Sequence, residues 1–187
     1  MNTLVKRAMN HDVDAFVELM EKNTASMYKV ARAFLHNDDD IADAIQDTIL
    51  TCLEKIGTLR EPKYFKTWMI RILINHCNDI LKEKKKQCCY EEVPEIAQMR
   101  CSGMNDLEVK DLLERLDDKY KAIIILHYLE GFSVTEIGKM LDMKTSTVKT
   151  RLSRGRKELR KLYGVEPKNE AEHMFLFAVR EVNHYGR

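Results

Sequence analysis

Apolar residues recur every three or four positions through most of the chain, the spacing expected when each helix buries one face. In 12–35, DVDAFVELMEKNTASMYKVARAFL, that period runs through Phe16, Leu19, Met20, Met27, Ala31 and Phe34, with a break expected near Asn23. HNDDDIADAIQDTILTCLEKIG at 36–57 predicts a second helix. Asn37 or Asp38 can cap its start, and acids in its first turn suit the helix dipole. Its buried stripe is Ile41, Ile45, Thr48, Ile49, Cys52, Leu53 and Ile56, and Gly57 ends it. TLREPKYF is a loop in which Pro62 suits the first turn of the next helix. That helix, KYFKTWMIRILINHCNDILKEKK, should run to about residue 85.

The period then fails. Residues 86–105, KQCCYEEVPEIAQMRCSGMN, contain Pro94, Ser102 and Gly103 and read as a linker, since compact domains rarely hold so long a structureless segment. Periodicity returns with Asp106 as an N-cap before LEVKDLLERL. DDKYKAIIILHYLEG follows, with Gly131 as the residue after its helix end. Ser133 and Glu136 have the S-x-x-E spacing of a capping box. Val134, Ile137 and Leu141 bury the inner face of that short helix, and Asp142 to Lys144 make a tight turn, because Asp tolerates left-handed backbone. Thr145 or Ser146 caps the last helix. A short helix, a tight turn and a second helix form a helix-turn-helix. The expected fold is all-α: two small helical domains, 1–85 and 106–163, joined by a flexible linker at 86–105 and followed by an extension, 164–187. The stretch EHMFLFAVREV in that extension has the pattern of one more short amphipathic helix.

Composition agrees: 44% hydrophobic residues supply a core, 3 Pro and 7 Gly leave few breakers, and 33% charge is below a disorder signature. The longest aliphatic run, AIIIL at 122–126, falls far short of the roughly 20 residues a membrane span needs. The N-terminus lacks an apolar signal stretch, so the chain is expected in the cytoplasm. Reduced thiols are then the default for the five Cys, with Cys52 and Cys77 as core residues. His76, Cys77, Cys88 and Cys89 lack the paired spacing of zinc ligands, and no metal, cofactor or small-molecule ligand is expected. No Gly-rich phosphate loop, paired catalytic carboxylates or nucleophile–base set is present, so no catalytic residue is expected.

Charge separates the halves. The total is near balance, 31 basic against 30 acidic residues, yet KTSTVKTRLSRGRKELRKL at 144–162 has eight cations and one acid. On a helical wheel Val148, Leu152, Gly155, Leu159 and Leu162 form the buried stripe, with Gly155 allowing close helix approach. Ser146, Thr150, Ser153, Arg154 and Lys157 point away, and Lys149, Arg151, Arg156, Arg160 and Lys161 lie on the flanks and far end. Short hydroxyls let a helix enter a major groove while long cations reach the phosphate walls. In the first half, Asp39, Asp43, Gln46, Asp47 and Leu50 make an outer face suited to protein docking. REPKYFKTWMIRILINHCND interleaves aromatics with Arg60, Lys63, Lys66 and Arg71, which suits melted nucleic acid with exposed bases. Phe65 and Trp68 are expected in the core, and Tyr64 on the surface.

DDDIADAIQDTIL, YFKTWMIRILINHCND and YKAIIILHYLEGFSVTEIGKMLDMKTSTVKTRLSRGRKEL, in this order, give a resemblance covering Phe16 to Leu162. The chain resembles bacterial RNA polymerase sigma factors of the sigma-70 family, extracytoplasmic-function (ECF) subfamily. Its aromatic-rich middle stretch is similar to the branch associated with lysozyme and envelope stress in Firmicutes. The resemblance implies a region 2 domain that docks on the β′ clamp helices of core polymerase through Asp39, Asp43, Gln46, Asp47 and Leu50. It implies that Lys63, Tyr64, Lys66, Arg71, Asn75 and Asp79 read the −10 element, with the loop around Thr58–Lys63 capturing a flipped base. Region 4 would read the −35 element with Lys149, Thr150, Arg151, Ser153, Arg154 and Lys157, and would meet the β flap. The implied partners are core RNA polymerase, promoter DNA and a cognate, membrane-anchored anti-sigma factor, with the free chain a monomer. Gly138 stands where the family usually has Ala and is expected to loosen that helix slightly; Asp142 and Ser146 replace usual Gly residues. The alternative is a stand-alone helix-turn-helix regulator dimerising on half-sites; the docking face of the first half speaks against it.

Overall fold

The computed structural model describes residues 1–88 and 115–163, and among these every regular element is helical. The first unit comprises α1 (Asn2–Met9), α2 (Val13–Ala31), α3 (Asp38–Lys55) and α4 (Phe65–Cys88). Short 3-10 turns at Ile56–Thr58 and Pro62–Tyr64 connect α3 to α4, with Pro62 opening the second. Helices α2, α3 and α4 pack around fully buried Leu19, Met27, Leu35, Ile41, Phe65, Met69, Ile70, Leu73 and Ile74, and α1 closes one side with Val5 and Ala8. Each buried Leu, Ile, Phe or Met contributes about 1.5–3 kcal/mol.

Local chemistry starts these helices. The Asp12 side chain accepts the Ala15 N–H at 3.0 Å, capping α2, and that bond, with Arg7 beside it, holds the Asp12 carboxyl below the usual range. Asn37, of the two candidates, caps α3 by accepting the Asp39 N–H at 2.7 Å, and three aspartates fill the first turn. The break expected near Asn23 is absent. Asn23 is buried and its amide donates to the Leu19 carbonyl at 2.7 Å, so the polar group is satisfied inside one continuous α2. The stripe of α3 also differs: Ala44 is buried, whereas Leu53 is 50% exposed. Helix α4 runs three residues beyond its expected end, through a segment without breakers whose Lys85 and Lys86 complement the C-terminal dipole.

The second unit comprises α5 (Asp118–Ile124), a π-helical turn at Ile125–Leu129, α6 (Val134–Met140) and α7 (Thr145–Tyr163). Ile123, Ile124, Leu126, Ile137, Val148, Leu152 and Leu159 form its core. Gly131 turns the chain with φ of 75°, as expected of a residue just past a helix end. The units touch where α6 meets α4 and the π-helical turn meets α2. The linker from residue 89 onward, the Asp106 cap with its helix start, and the 164–187 extension lie outside the described residues.

Candidate nucleic-acid and polymerase interfaces

The basic helix is delivered by a well-specified turn. Ser133 Oγ accepts the Glu136 N–H at 3.3 Å, and Glu136 accepts the Ser133 N–H at 2.9 Å, completing the capping box that starts α6. The Ser133 hydroxyl also donates to this carboxylate, and that bond leads the effects holding Glu136 below the usual range. Asp142 takes φ of 50°, and the Met143 N–H bonds to the Gly138 carbonyl at 2.8 Å. A Cβ on Gly138 would lie 2.9 Å from the Met143 carbonyl oxygen. Gly138 therefore lets the turn close tightly, a role opposite to the loosening expected of it. Helix α7 begins at Thr145, one residue earlier than a Thr145 cap requires and two earlier than a Ser146 cap requires; the Lys144 carbonyl accepts the Val148 N–H at 3.1 Å.

Three of the four stripe side chains pack inward as expected. Val148, Leu152 and Leu159 are buried, and at Gly155 a Cβ would stand 3.1 Å from Tyr120 Cβ and 3.3 Å from Ile124 Cγ1, so α5 and α7 approach closely there. Leu162 is the exception, 40% exposed in the last turn of α7. Opposite the stripe, Lys149, Thr150, Ser153, Arg154 and Lys157 are exposed, and Arg151 is half-buried on the flank. Thr150 donates its hydroxyl to the Ser146 carbonyl at 3.0 Å, leaving the oxygen free to accept. A helix about 10–12 Å across with one such edge matches a major groove about 12 Å wide.

On the first unit, Arg71, Asn75 and Asp79 lie at successive four-residue steps and form one exposed ridge of α4, about 12 Å long. Lys63 and Tyr64 stand exposed in the turn before it, with the Lys63 ammonium 4.9 Å from the Tyr64 ring centre. Asp79 pairs with Lys82 at 2.8 Å, which holds its carboxyl below the usual range. Phe65 is core as expected, and Trp68 is half-buried against it at 6.1 Å between ring centres. Lys66 departs from the set. It lies about 140° around the helix from Arg71, and its Nζ pairs with Glu130 of the second unit at 2.9 Å, donates to the Glu130 carbonyl at 3.1 Å, and sits over the Phe132 ring at 5.4 Å.

Asp39, Asp43, Gln46, Asp47 and Leu50 share one exposed face of α3. Beside it runs an apolar groove of about 380 Å³, lined by Tyr28, Asp38, Ile41, Ala42, Ile45, Gln46, Ile49 and Leu50. Tyr28, 41% exposed, comes from α2 and was not anticipated; a large aromatic one position beyond buried Met27 is the signal that points to it. The face is thus an acidic rim beside an apolar trough, suited to a partner helix with cations and apolar side chains.

Cys52 and Cys77 are buried in the first unit, and burial pushes both thiols up to about 12, keeping them protonated. Among the described residues no three His, Cys, Asp or Glu side chains gather as a metal site, and no helix is long and apolar enough to cross a membrane.

Residues 19–87 match the family model for sigma-70 region 2, and residues 106–159 match that for sigma-70 region 4. The chain is 31% identical over 135 residues to the RNA polymerase sigma factor SigV of Bacillus subtilis, covering 71% of this chain and 81% of SigV. It is 28% identical over 176 residues to the ECF RNA polymerase sigma factor SigW of the same organism, covering 84% and 93%. The fold is similar to that of the sigma factor RpoE of Bartonella quintana, solved with the anti-sigma factor NepR, with a TM-score of 0.65 at 23% identity over 82% of this chain and 98% of that one. With a helical unit bearing an acidic outer face, a second bearing a basic helix-turn-helix, and both matched in order by these models, the chain belongs to the ECF group of the sigma-70 family of RNA polymerase sigma factors.

Proposed function

We propose that this chain directs core RNA polymerase to a particular promoter class by reading two separated DNA elements. The observation that carries the reading is the edge of α7: Lys149, Thr150, Ser153, Arg154 and Lys157 exposed opposite a buried stripe, presented by a capped helix and a tight turn. These residues with Arg151 read the −35 element. The second reader is the α4 ridge of Arg71, Asn75 and Asp79 with Lys63 and Tyr64 ahead of it, and with Lys66 once its carboxylate partner is withdrawn. Stacking on Tyr64 and cations on the strand suit the single-stranded bases of an opening −10 element. The α3 face of Asp39, Asp43, Gln46, Asp47 and Leu50 docks on the β′ clamp helices, and the second unit meets the β flap. The working domains are 1–85 and 106–163.

Regulation belongs to the same proposal. The Bartonella relative was solved with an anti-sigma factor, which supports control of this chain by a cognate inhibitor; that the inhibitor is membrane-anchored is implied by the family resemblance alone. The aromatic-rich stretch 64–79 supports a cell-envelope stress regulon. Footprinting of the holoenzyme on a promoter tests the assignment. Arg154→Ala should lose protection around −35 while keeping that around −10, and Asn75→Ala the reverse. Protection lost equally at both sites in both variants would count against two separate readers.

A further inference from the structure

Helix α1 carries no reader residue, and the region 2 match begins at residue 19, beyond it. Its buried face nevertheless lies against α2 and against the two 3-10 turns that bracket Leu59–Glu61. Val5 and Ala8 join one core with Ile56 and Leu59, the inward anchors of that loop. Gly57 marks the approach: a Cβ there would stand 4.0 Å from the Met9 carbonyl oxygen, in ordinary contact with the end of α1. Among the described residues the hydrogen bonds of the loop are local. The Leu59 N–H donates to the Ile56 carbonyl at 3.1 Å, the Thr58 hydroxyl to the Lys55 carbonyl at 2.7 Å, and the Tyr64 N–H to the Glu61 carbonyl at 3.0 Å. Such bonds fold the loop on itself without fixing it to the bundle, so packing against α1 must hold it there.

The corner that sets the angle of α1 is closed in three ways. The Asp12 N–H bonds to the Arg7 carbonyl at 3.2 Å and the His11 N–H to the Ala8 carbonyl at 3.1 Å, the paired bonds of a Schellman motif. His11 fills the left-handed position of that motif with φ of 64°, where glycine is usual. Arg7 grips one oxygen of the Asp12 carboxylate from Nε and Nη2, both at 2.8 Å, while the other oxygen caps α2. A residue with a side chain keeps such a conformation only where its surroundings over-determine it. Helix α1 is thus a short lever, fixed at one end to α2 and resting on the loop. We propose that α1 holds the loop Thr58–Lys63 in place and, through it, sets which base the −10 reader captures, with Val5 on the packed face and His11 at the corner as positioning residues. This rests on the reading of that loop as the base-capturing part. A pocket for one extruded base selects by its shape and by placed hydrogen bonds. A loop that shifts therefore loses selectivity for that base, while the α4 ridge keeps its own contacts.

Hydrogen–deuterium exchange on the full chain and oligonucleotide binding by the holoenzyme test this. Val5→Ala opens space at the packed face, and His11→Val puts a β-branched residue where φ is positive. In both variants the amides of 58–64 should exchange faster than in wild type, while those of α7 stay unchanged. The holoenzyme is then given single-stranded −10 oligonucleotides from a promoter it uses, permuted one base at a time. At one position, the captured base, the ratio of affinities for preferred over other bases should fall about 3- to 10-fold in both variants. Preferences at the remaining positions should stay as in wild type. His11→Asn, a residue that takes left-handed backbone, should restore both the slow exchange and the preference. Loop amides that exchange as in wild type, or a preference lost equally at every position, would overturn the proposal. Faster loop exchange with every preference intact would overturn the control of base choice by α1. Faster loop exchange in the variants, with no preference at any position in wild type, would support the hold of α1 on the loop and count against that loop as the base-capturing part.

Discussion

A methyl group at position 138 would sit 2.9 Å from the Met143 carbonyl oxygen, and a backbone atom cannot swing aside as a side-chain tip can. Overpacking of this kind costs about 1–3 kcal/mol, while replacing Gly by Ala inside a helix gains about 1 kcal/mol. The steric effect should win, so Gly138→Ala should destabilise the second unit by about 1 kcal/mol, read as a melting midpoint lower by about 4–8 °C. An unchanged or raised midpoint would show that the turn relaxes freely. Ser133→Ala should cost about 0.5–2 kcal/mol by removing the cap. Its partner Glu136 is held below its ordinary value near 4.5, chiefly by the Ser133 hydroxyl. A carboxyl lowered in the folded state adds stability above its unfolded pKa and loses it as pH falls through the folded one. The stability gap between wild type and Glu136→Gln, followed by denaturation, should be full above about pH 5 and shrink toward pH 3. Residue-level features of this kind were legible when they depend on near neighbours: Ser133 with Glu136, Asp142 in left-handed backbone, Gly155 at a close approach. Gly138 was misread because the atom it accommodates belongs to a turn whose path the sequence pattern does not draw.

At the scale of elements, periodicity placed α2, α3, α4 and α7 because each carries several turns of apolar residues on one line. It missed α1, whose eight residues are too few for a period to stand out and whose start has no side-chain cap. It also put Leu53 and Leu162 inside. A wheel says which residues share a line; it does not say where a neighbouring element covers that line, and both residues are exposed, at 50% and 40%. The α3 face yields the prediction that belongs at this scale. Asp47→Lys reverses one charge in the acidic rim beside the Tyr28–Leu50 groove, without disturbing a buried side chain. Binding of core polymerase, measured by pull-down or analytical ultracentrifugation, should fall while the melting profile of the chain stays the same. Undiminished binding would remove α3 from the docking surface.

For the whole molecule, an overall charge near zero conceals a division of labour, with acid on α3 and a concentration of cations on α7. That division was legible from the order of residues. The contact between the units was not: Lys66 and Glu130 are 64 positions apart, and no local pattern announces an ion pair closed by tertiary packing. Lys66 therefore read as one cation among several in an aromatic-rich segment, when in the structure it faces away from the Arg71–Asn75–Asp79 ridge and answers a buried carboxylate. The central claim is that this chain selects promoters for polymerase through α7. In vitro run-off transcription with purified core polymerase on a genomic promoter library tests it most directly. Wild type should start transcripts from a discrete set of promoters sharing two elements, and only with core present. Arg154→Ala should weaken that selection by about 1–3 kcal/mol, roughly 5- to 150-fold. Start sites that do not depend on adding the chain, or that Arg154→Ala leaves unchanged, would contradict it.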